Sequence, residues 1–304
     1  MTEEIEFDRS FDVKQGEIVE VAPGVRRIVA DNPSPFTFKG TNTYIIGEGS
    51  VAILDPGPAD PRHIDAILAA LGNETVAQIL VSHTHRDHSP AAAAISRATG
   101  AKTYGEGPHR AARDLHLGET PPLDSSGDED FIPDHRLRDG EIIEGKHYAL
   151  EAVTTPGHTA NHVAFALKGT NILFSADHVM GWATSIVAPP DGSMGDYMAS
   201  LHKLEARQES HYFPGHGGEV KNAKKLVRQY IEHREAREAA ILRKLSRGAS
   251  DIPGIVQAIY IGLDPRLVKA AALTTYAHLE TLLERDIVKA DGPPSLSGRY
   301  SLIA

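Results

Sequence analysis

Across 304 residues the chain is 41% hydrophobic and 24% charged, and 31 Lys+Arg against 41 Asp+Glu give a formal net charge of −10. This is the composition of an ordinary soluble globular protein, long enough for one large domain and a small one, and its charge disfavours a long polyanion as a general partner. With no cysteine there is no disulfide, and with no 18-residue apolar run neither a membrane span nor a membrane partner is expected.

The first residues, MTEEIEFDRSFDVKQGE, are acidic and polar, unlike a secretory signal or an arginine-rich transit peptide, so a cytoplasmic location is expected. The strand-like run Val51-Ala52-Ile53-Leu54 ends at Asp55. That carboxylate reads either as a turn residue before Pro56-Gly57 or as an acceptor that orients a metal-bound imidazole through its other ring nitrogen. A helix is expected over 61–71 and a strand over 76–81. The tract His83-Thr84-His85-Arg86-Asp87-His88 follows, and then an alanine-rich helix over 90–99 that stops at Gly100.

Three imidazoles and a carboxylate in six residues form a set that a core could not bury without a metal to satisfy it; the alternative is a solvated polar turn. In an extended segment His83 and His85 point to one face, while Asp87 and His88 follow where the chain turns into the helix. One tract could therefore serve two adjacent metals. Three later apolar runs each end in a further ligand. Val153-Thr154-Thr155-Pro156-Gly157-His158 closes in a Pro-Gly turn that exposes His158. Ile172-Leu173-Phe174-Ser175-Ala176-Asp177 ends a buried-strand pattern in a carboxylate, and His211-Tyr212-Phe213-Pro214-Gly215-His216 ends in a histidine flanked by glycines. Five histidines and two aspartates thus fall at predicted strand ends, where α/β folds gather their functional groups. Nitrogen and carboxylate donors without thiolate suit Zn²⁺, Mn²⁺ or Fe. By contrast, His63, His109, His116, His135, His147, His202, His211, His233 and His278 lack ligand-like context and read as surface or structural residues. His162 and His178 fall between; His178 either enters the cleft beside Asp177 or is buried on the opposite face of its strand.

After about residue 221 the pattern becomes mostly helical. Residues 224–304 carry 13 Lys+Arg against 9 Asp+Glu, or +4, which leaves −14 for the residues before them. Domains are therefore expected over 1–221 and 222–304. The tail reads as a helix over 222–247, a second starting at Asp251-Ile252-Pro253, a third capped by Asp264-Pro265 and running to about Arg285, and a hairpin over 287–303. Helices followed by a hairpin make a winged-helix-like domain. Because +4 is thin for phosphate contacts, this tail is expected to pack on the catalytic body and shape its cleft rather than read a duplex.

In chain order, HTHRDH, PGHT, the Asp of FSAD and PGHGG resemble the ligand set of the metallo-β-lactamase superfamily. The segment NPSPFTFKGTNTY, residues 32–44, is similar to the corresponding stretch of the β-lactamase-like protein 2 subfamily, and the likeness runs from about residue 18 to the C-terminus. The resemblance implies an α/β fold, the αββα sandwich, with a small C-terminal winged-helix-like domain. It implies that His83, His85 and His158 hold one divalent metal, that Asp87, His88 and His216 hold a second, and that Asp177 bridges them; zinc is the expected ion, with Mn or Fe as alternatives. Phe36 and Thr37, in the loop that overhangs the metals in that family, and Trp182, just beyond Asp177, join His178 as candidates for touching substrate. Without a Cys ligand, and with a bridging Asp, a dedicated β-lactamase is not expected. About 40 residues between Asp177 and His216 leave no room for the large nucleic-acid-gripping insert of some RNA-processing members.

The expected activity is that of a dinuclear hydrolase. A hydroxide held by the metals, available because zinc lowers the pKa of bound water to about 7, would attack an ester-type bond, with Asp87 and Asp177 as the carboxylates on which catalysis depends. Small or carrier-bound esters, thioesters among them, are the expected substrates. A single-stranded-RNA endonuclease is the alternative, so RNA stays open as a partner, as does a homo-oligomer. A catalytically silent metal-binding module would require a broken ligand set, and all seven positions are filled.

Overall fold

The computed structural model describes residues 5–116, 119 and 127–303. One sheet joins β1 (Ile18–Ala22), β2 (Val25–Val29), β3 (Asn42–Glu48), β4 (Ser50–Leu54), β5 (Thr75–Leu80), β6 (Lys102–Gly105) and β7 (His135–Arg136) in that order, antiparallel as far as β4 and parallel beyond it. The other contains β8 (Ile142–Glu144), β9 (Ala149–Thr154), β10 (Val163–Leu167), β11 (Ile172–Ala176) and β12 (His211–Pro214), with only the β11–β12 pair parallel.

The period-two alternation of each strand decides the layering. Tyr44, Ile46, Ala52 and Leu54 of the first sheet meet Leu150, Ala152, Phe165 and Phe174 of the second in one core. Their neighbours Ile45, Val51, Ile53 and Ile79 point the other way, against α1 (Pro61–Leu71) and α2 (Ala92–Thr99). Ala164, Ala166, Leu173 and Tyr212 likewise face α3 (Met194–Ala206) and α4 (Ala223–Leu245). The expected αββα sandwich is the observed one. Sequence reading overlooked α3, although Ser193 caps it by accepting from the Asp196 N–H at 3.2 Å and Met194, Tyr197, Leu201 and Leu204 form its buried stripe.

The tail is a winged helix made of α4, α5 (Ile252–Ile259), α6 (Val268–Glu284) and a small sheet in the order β13 (Ser250–Asp251), β15 (Arg299–Leu302), β14 (Val288–Ala290). β13 adds a third strand to the predicted hairpin; at two residues it is too short to leave a periodic signal. The expected boundary at 221/222 falls beside the N-cap Asn222, and α4 then serves two cores: Leu226, Val227, Tyr230 and Ile231 pack on the sandwich, while Ile241 and Leu245 pack with α5 and α6. α6 is buried from Leu273 to Leu279, and its Ala277 belongs to the core shared by α3 and α4. Tyr276 and Leu279 of that stretch lie in the tail's own core, so the stretch is divided between the tail and the catalytic body. No helix among the described residues is long and apolar enough to cross a membrane.

Two histidines that lack ligand context are buried and neutral. Burial pushes His63 down to about 4, with Thr43 Oγ1 at 2.9 Å from its Nε2, and pushes His278 down to about 3. Both folded-state values lie below the unfolded value near 6.5, so the unfolded chain binds more protons between those limits and stability is lost as pH falls through that window. For His63 the loss between pH 7 and pH 4 is expected to be about 3 kcal/mol. Denaturant unfolding of metal-free protein at pH 7 and at pH 4 measures it, and His63→Gln should narrow the difference; an equal loss in wild type and variant would remove His63 as the cause.

Candidate metal centre

The strand ends deliver the ligands to one place. β5 stops at Leu80, whose carbonyl accepts from Asp55 N–H at 2.9 Å, so the 83–88 tract emerges beside the end of β4. The PGHT turn needs its glycine, because Gly157 has φ +135° and a Cβ there would lie 2.3 Å from the Tyr197 backbone. Among the non-glycine residues in the left-handed region are two beside these ligands: Asp55 at φ 49°, and Ala176 at φ 43°, immediately before Asp177. Strained backbone of this kind persists only where surrounding structure holds it, and it is concentrated at functional sites.

Three groups of donors, His83/His85/His158, His83/His88/Asp177 and Asp87/His88/His216, each converge with all their ligand atoms within 4.8 Å of one another. In the first, His85 Nδ1 lies 3.1 Å from both His83 Nε2 and His158 Nε2. In the last, His216 Nε2 and His88 Nε2 are 3.2 and 3.3 Å from Asp87 Oδ2 and 3.4 Å from each other. Donors at about 2.0–2.1 Å from a tetrahedral zinc stand roughly 3.3 Å apart, so both spacings suit such an ion. Asp177 stands between the groups, 3.7 Å from His158 Nε2, 3.2 Å from His216 Nε2 and 3.5 Å from His88 Nε2. Its Oδ1 is buried without a hydrogen-bond partner, an arrangement a cation would satisfy.

The electrostatics agree with a cation site. Burial, reinforced by neighbouring imidazoles, holds His83 well below its usual value and His85 at about 3, so both are neutral donors. For Asp87 and Asp177, burial opposes ionisation but the attraction of His88 and His216 wins, and both carboxyls are held well below the usual range. In the metal-free chain the balancing charge is carried by His88, well above its usual value, and by His216, at about 9; in both, burial opposes the charge and the carboxylates override it. Metal binding replaces those protons as counter-charge.

The ring atoms facing away from the centre are also tied down. Asp55 takes the Nδ1 proton of His88 at 2.9 Å, the Ser82 N–H at 2.7 Å and the Ser82 hydroxyl at 2.7 Å, while that hydroxyl lies 3.0 Å from His83 Nδ1. His158 Nδ1 is 2.7 Å from the Ile186 carbonyl, and His216 Nδ1 is 3.2 Å from that of Gly40. These contacts aim each Nε2 inward. Thr41, which sequence reading did not single out, donates to Asp87 at 3.0 Å and is itself held by Asn32 at 2.9 Å.

The substrate-contact candidates divide. Phe36 is 50% exposed in the 32–40 loop. The Thr37 hydroxyl is spent inside that loop, donating to the Asn32 carbonyl at 2.5 Å. Trp182 stacks on Phe38 of the same loop, with centroids 4.9 Å apart and planes at 10°. His178 is corrected: it is fully buried behind the centre, between the rings of Tyr197 at 4.4 Å and His162 at 5.6 Å, and is withdrawn from the cleft. Of its two sequence readings, burial is the one observed. His162 packs 5.2 Å from the His83 ring, with its Nδ1 at 2.8 Å from Thr155 Oγ1.

Gly215 probes how tightly the centre is built. A Cβ there would lie 2.3 Å from Asp177 Oδ1 and 2.8 Å from a ring carbon of His88. Gly215→Ala is therefore expected to weaken zinc binding by about 10-fold or more, as disturbed ligand placement does. Chelator competition measures this; wild-type affinity in the variant would mean that the loop accommodates the methyl group freely.

Comparison with known proteins accords with this geometry. The metallo-beta-lactamase superfamily profile matches residues 36–216, and the beta-lactamase associated winged helix domain matches residues 252–293. The beta-lactamase-like protein 2 homolog of Caenorhabditis elegans is 32% identical over 232 residues, covering 75% of this chain and 73% of that protein. The atrochrysone carboxyl ACP thioesterase of Paecilomyces divaricatus is 29% identical over 241 residues, covering 77% and 68%. The crystal structure of a metallo-beta-lactamase family protein from Thermus thermophilus superposes with a TM-score of 0.75 at 24% identity, covering 93% of this chain and all of that one. With the profile spanning more than half its length, the chain belongs to the metallo-β-lactamase superfamily of hydrolases.

Proposed function

We propose that the chain is a dinuclear metal hydrolase acting on an ester-type bond, a thioester or another small or carrier-bound ester. The observation that carries this reading is the pair of donor groups spaced at 3.1–3.4 Å with Asp177 between them. Two divalent cations held there, zinc foremost and Mn or Fe as alternatives, would supply Lewis-acid polarisation of the scissile carbonyl and a water acidified to about neutral pH. The chain's part is positioning. Asp55, Ile186 and Gly40 fix the imidazoles through their outer nitrogens, and Thr41 keeps the Asp87 carboxylate turned toward His88 and His216. Burial of His83, His88 and His216 keeps the ligand side dry, where charge interactions are stronger than in water.

Charge supports the substrate class. Two arginines on nearby loops are neutralised by carboxylates, Arg110 by Glu106 and Arg113 by Glu119 and Glu280, while the exposed Arg86 donates its Nε to the Gly127 carbonyl at 2.9 Å. On a chain of −10, those ion pairs leave little unpaired positive charge there for a phosphate backbone. The similarity to a protein named as a thioesterase points the same way. Zinc-loaded protein offered acyl-pantetheine thioesters, lactones and single-stranded RNA is expected to turn over a thioester, to lose that activity to chelator and to recover it with zinc. Turnover of RNA alone would overturn the substrate assignment.

A further inference from the structure

Helix α4 turns one face toward the loop that follows Asp177. Tyr230 and Arg234 are four apart in α4, so their side chains leave it on the same side, and both are buried, at 0% and 3% exposure. The Tyr230 hydroxyl lies 2.6 Å from the Met180 carbonyl and 2.5 Å from that of Ala183, and accepts from the Met180 N–H at 3.3 Å. A guanidinium nitrogen of Arg234 donates to the Ser185 carbonyl. The Ser185 hydroxyl reaches back to the Asp177 carbonyl and to that of His178, the latter at 2.9 Å and also bonded by the Tyr197 hydroxyl at 2.8 Å. The next carbonyl, of Ile186, takes the Nδ1 proton of His158 at 2.7 Å.

Arg234 is an unusual residue to bury. Among the described residues no carboxylate lies within 4.0 Å of it, and its Nε has no partner. The guanidinium rests over the Tyr197 ring at 5.2 Å, so carbonyl and ring dipoles replace a counter-ion. An apolar side chain would fill the same core without the desolvation cost of a buried charge. What it would not do is hold the Ser185 carbonyl.

We propose that Tyr230 and Arg234 are positioning residues for the metal centre: they grip the 178–187 loop by its carbonyls, fixing Asp177 at one end and the acceptor of His158 at the other. On this account α4, the helix shared by the two cores, helps to set ligand geometry. The inference rests on the metal-centre reading given above. Its test compares wild type with Tyr230→Phe, Arg234→Met, Arg234→Lys and the Tyr230→Phe/Arg234→Met double variant. Zinc affinity is read by chelator competition, ligand geometry by the visible spectrum of the cobalt(II) form, and stability by thermal unfolding of each metal-free protein.

Tyr230→Phe and Arg234→Met are each expected to weaken zinc binding by about 10- to 100-fold, the range for residues that orient ligands, and to shift the cobalt spectrum. Because both hold one loop, the double variant should lose less than the product of the single effects. Arg234→Lys, which keeps a charged donor, should recover part of the affinity. Unchanged zinc affinity and cobalt spectra, with only the metal-free melting temperature lowered, would reduce the pair to a packing role and overturn the proposal. Tyr230→Phe deletes a single oxygen, so the question stays answerable if Arg234→Met does not fold. A wild type that bound neither metal would fail the metal-centre reading itself; a wild type that bound both, beside variants that matched it, would sink only the positioning role.

Discussion

Asp177→Ala is expected to lower zinc affinity by more than about 100-fold and to leave the protein with one equivalent of metal or less, against close to two in wild type. Residues that merely orient a ligand are worth about 10–100-fold in affinity, and a ligand shared by two ions should exceed that. Of the two carboxylates, Asp177 alone lies within 4.0 Å of imidazoles from both outer groups: His158 on one side, His88 and His216 on the other. Its removal also leaves Asp87 as the remaining carboxylate among the donors grouped with His88 and His216. Elemental analysis of protein purified without chelator, together with chelator competition, decides the matter. A variant that still held two equivalents at wild-type affinity would show that Asp177 bridges nothing.

The ligand set was legible in the sequence because each donor sits in a short block at the end of an apolar run, and the structure brings all seven side chains into three overlapping groups. Asp55 admits two sequence readings, and the structure shows a feature of each: its carboxylate accepts from His88 Nδ1, and its left-handed backbone makes a turn. What stayed hidden depends on backbone atoms and long separations. The carbonyls of Ile186 and Gly40 have no side-chain signature, and they lie 28 and 176 positions from the histidines they hold. Arg234 reads in sequence as one more charge on a charged helix, and only tertiary packing reveals it as buried. His178 stands next to a ligand in sequence, which made it a cleft candidate, but of its two readings burial is the one observed.

Asp87→Ala is expected to cut turnover by about 1,000-fold or more, a loss of roughly 4 kcal/mol in transition-state stabilisation, while leaving the fold intact. The carboxylate is held by Thr41 and faces His88 and His216, so its loss opens one of the two donor groups without disturbing the packed core behind it. Loss of activity alone would not separate ester hydrolysis from RNA cleavage, since both depend on the same centre. Ionic strength does separate them. A small ester makes few charge contacts, and its hydrolysis should change by less than about 2-fold between 50 and 200 mM salt. An RNA neutralised by six or more phosphate contacts should lose about 300-fold or more in affinity over the same range, because displaced counterions compete for the cleft. The decisive measurement is therefore kcat/KM for a thioester and for unstructured RNA at both salt concentrations, in wild type and in Asp87→Ala. Steeply salt-sensitive RNA cleavage that disappears in the variant, with no ester turned over, would make the protein a nuclease and remove the ester assignment. Salt-insensitive thioester turnover lost in the variant would place the chemistry at the carbonyl.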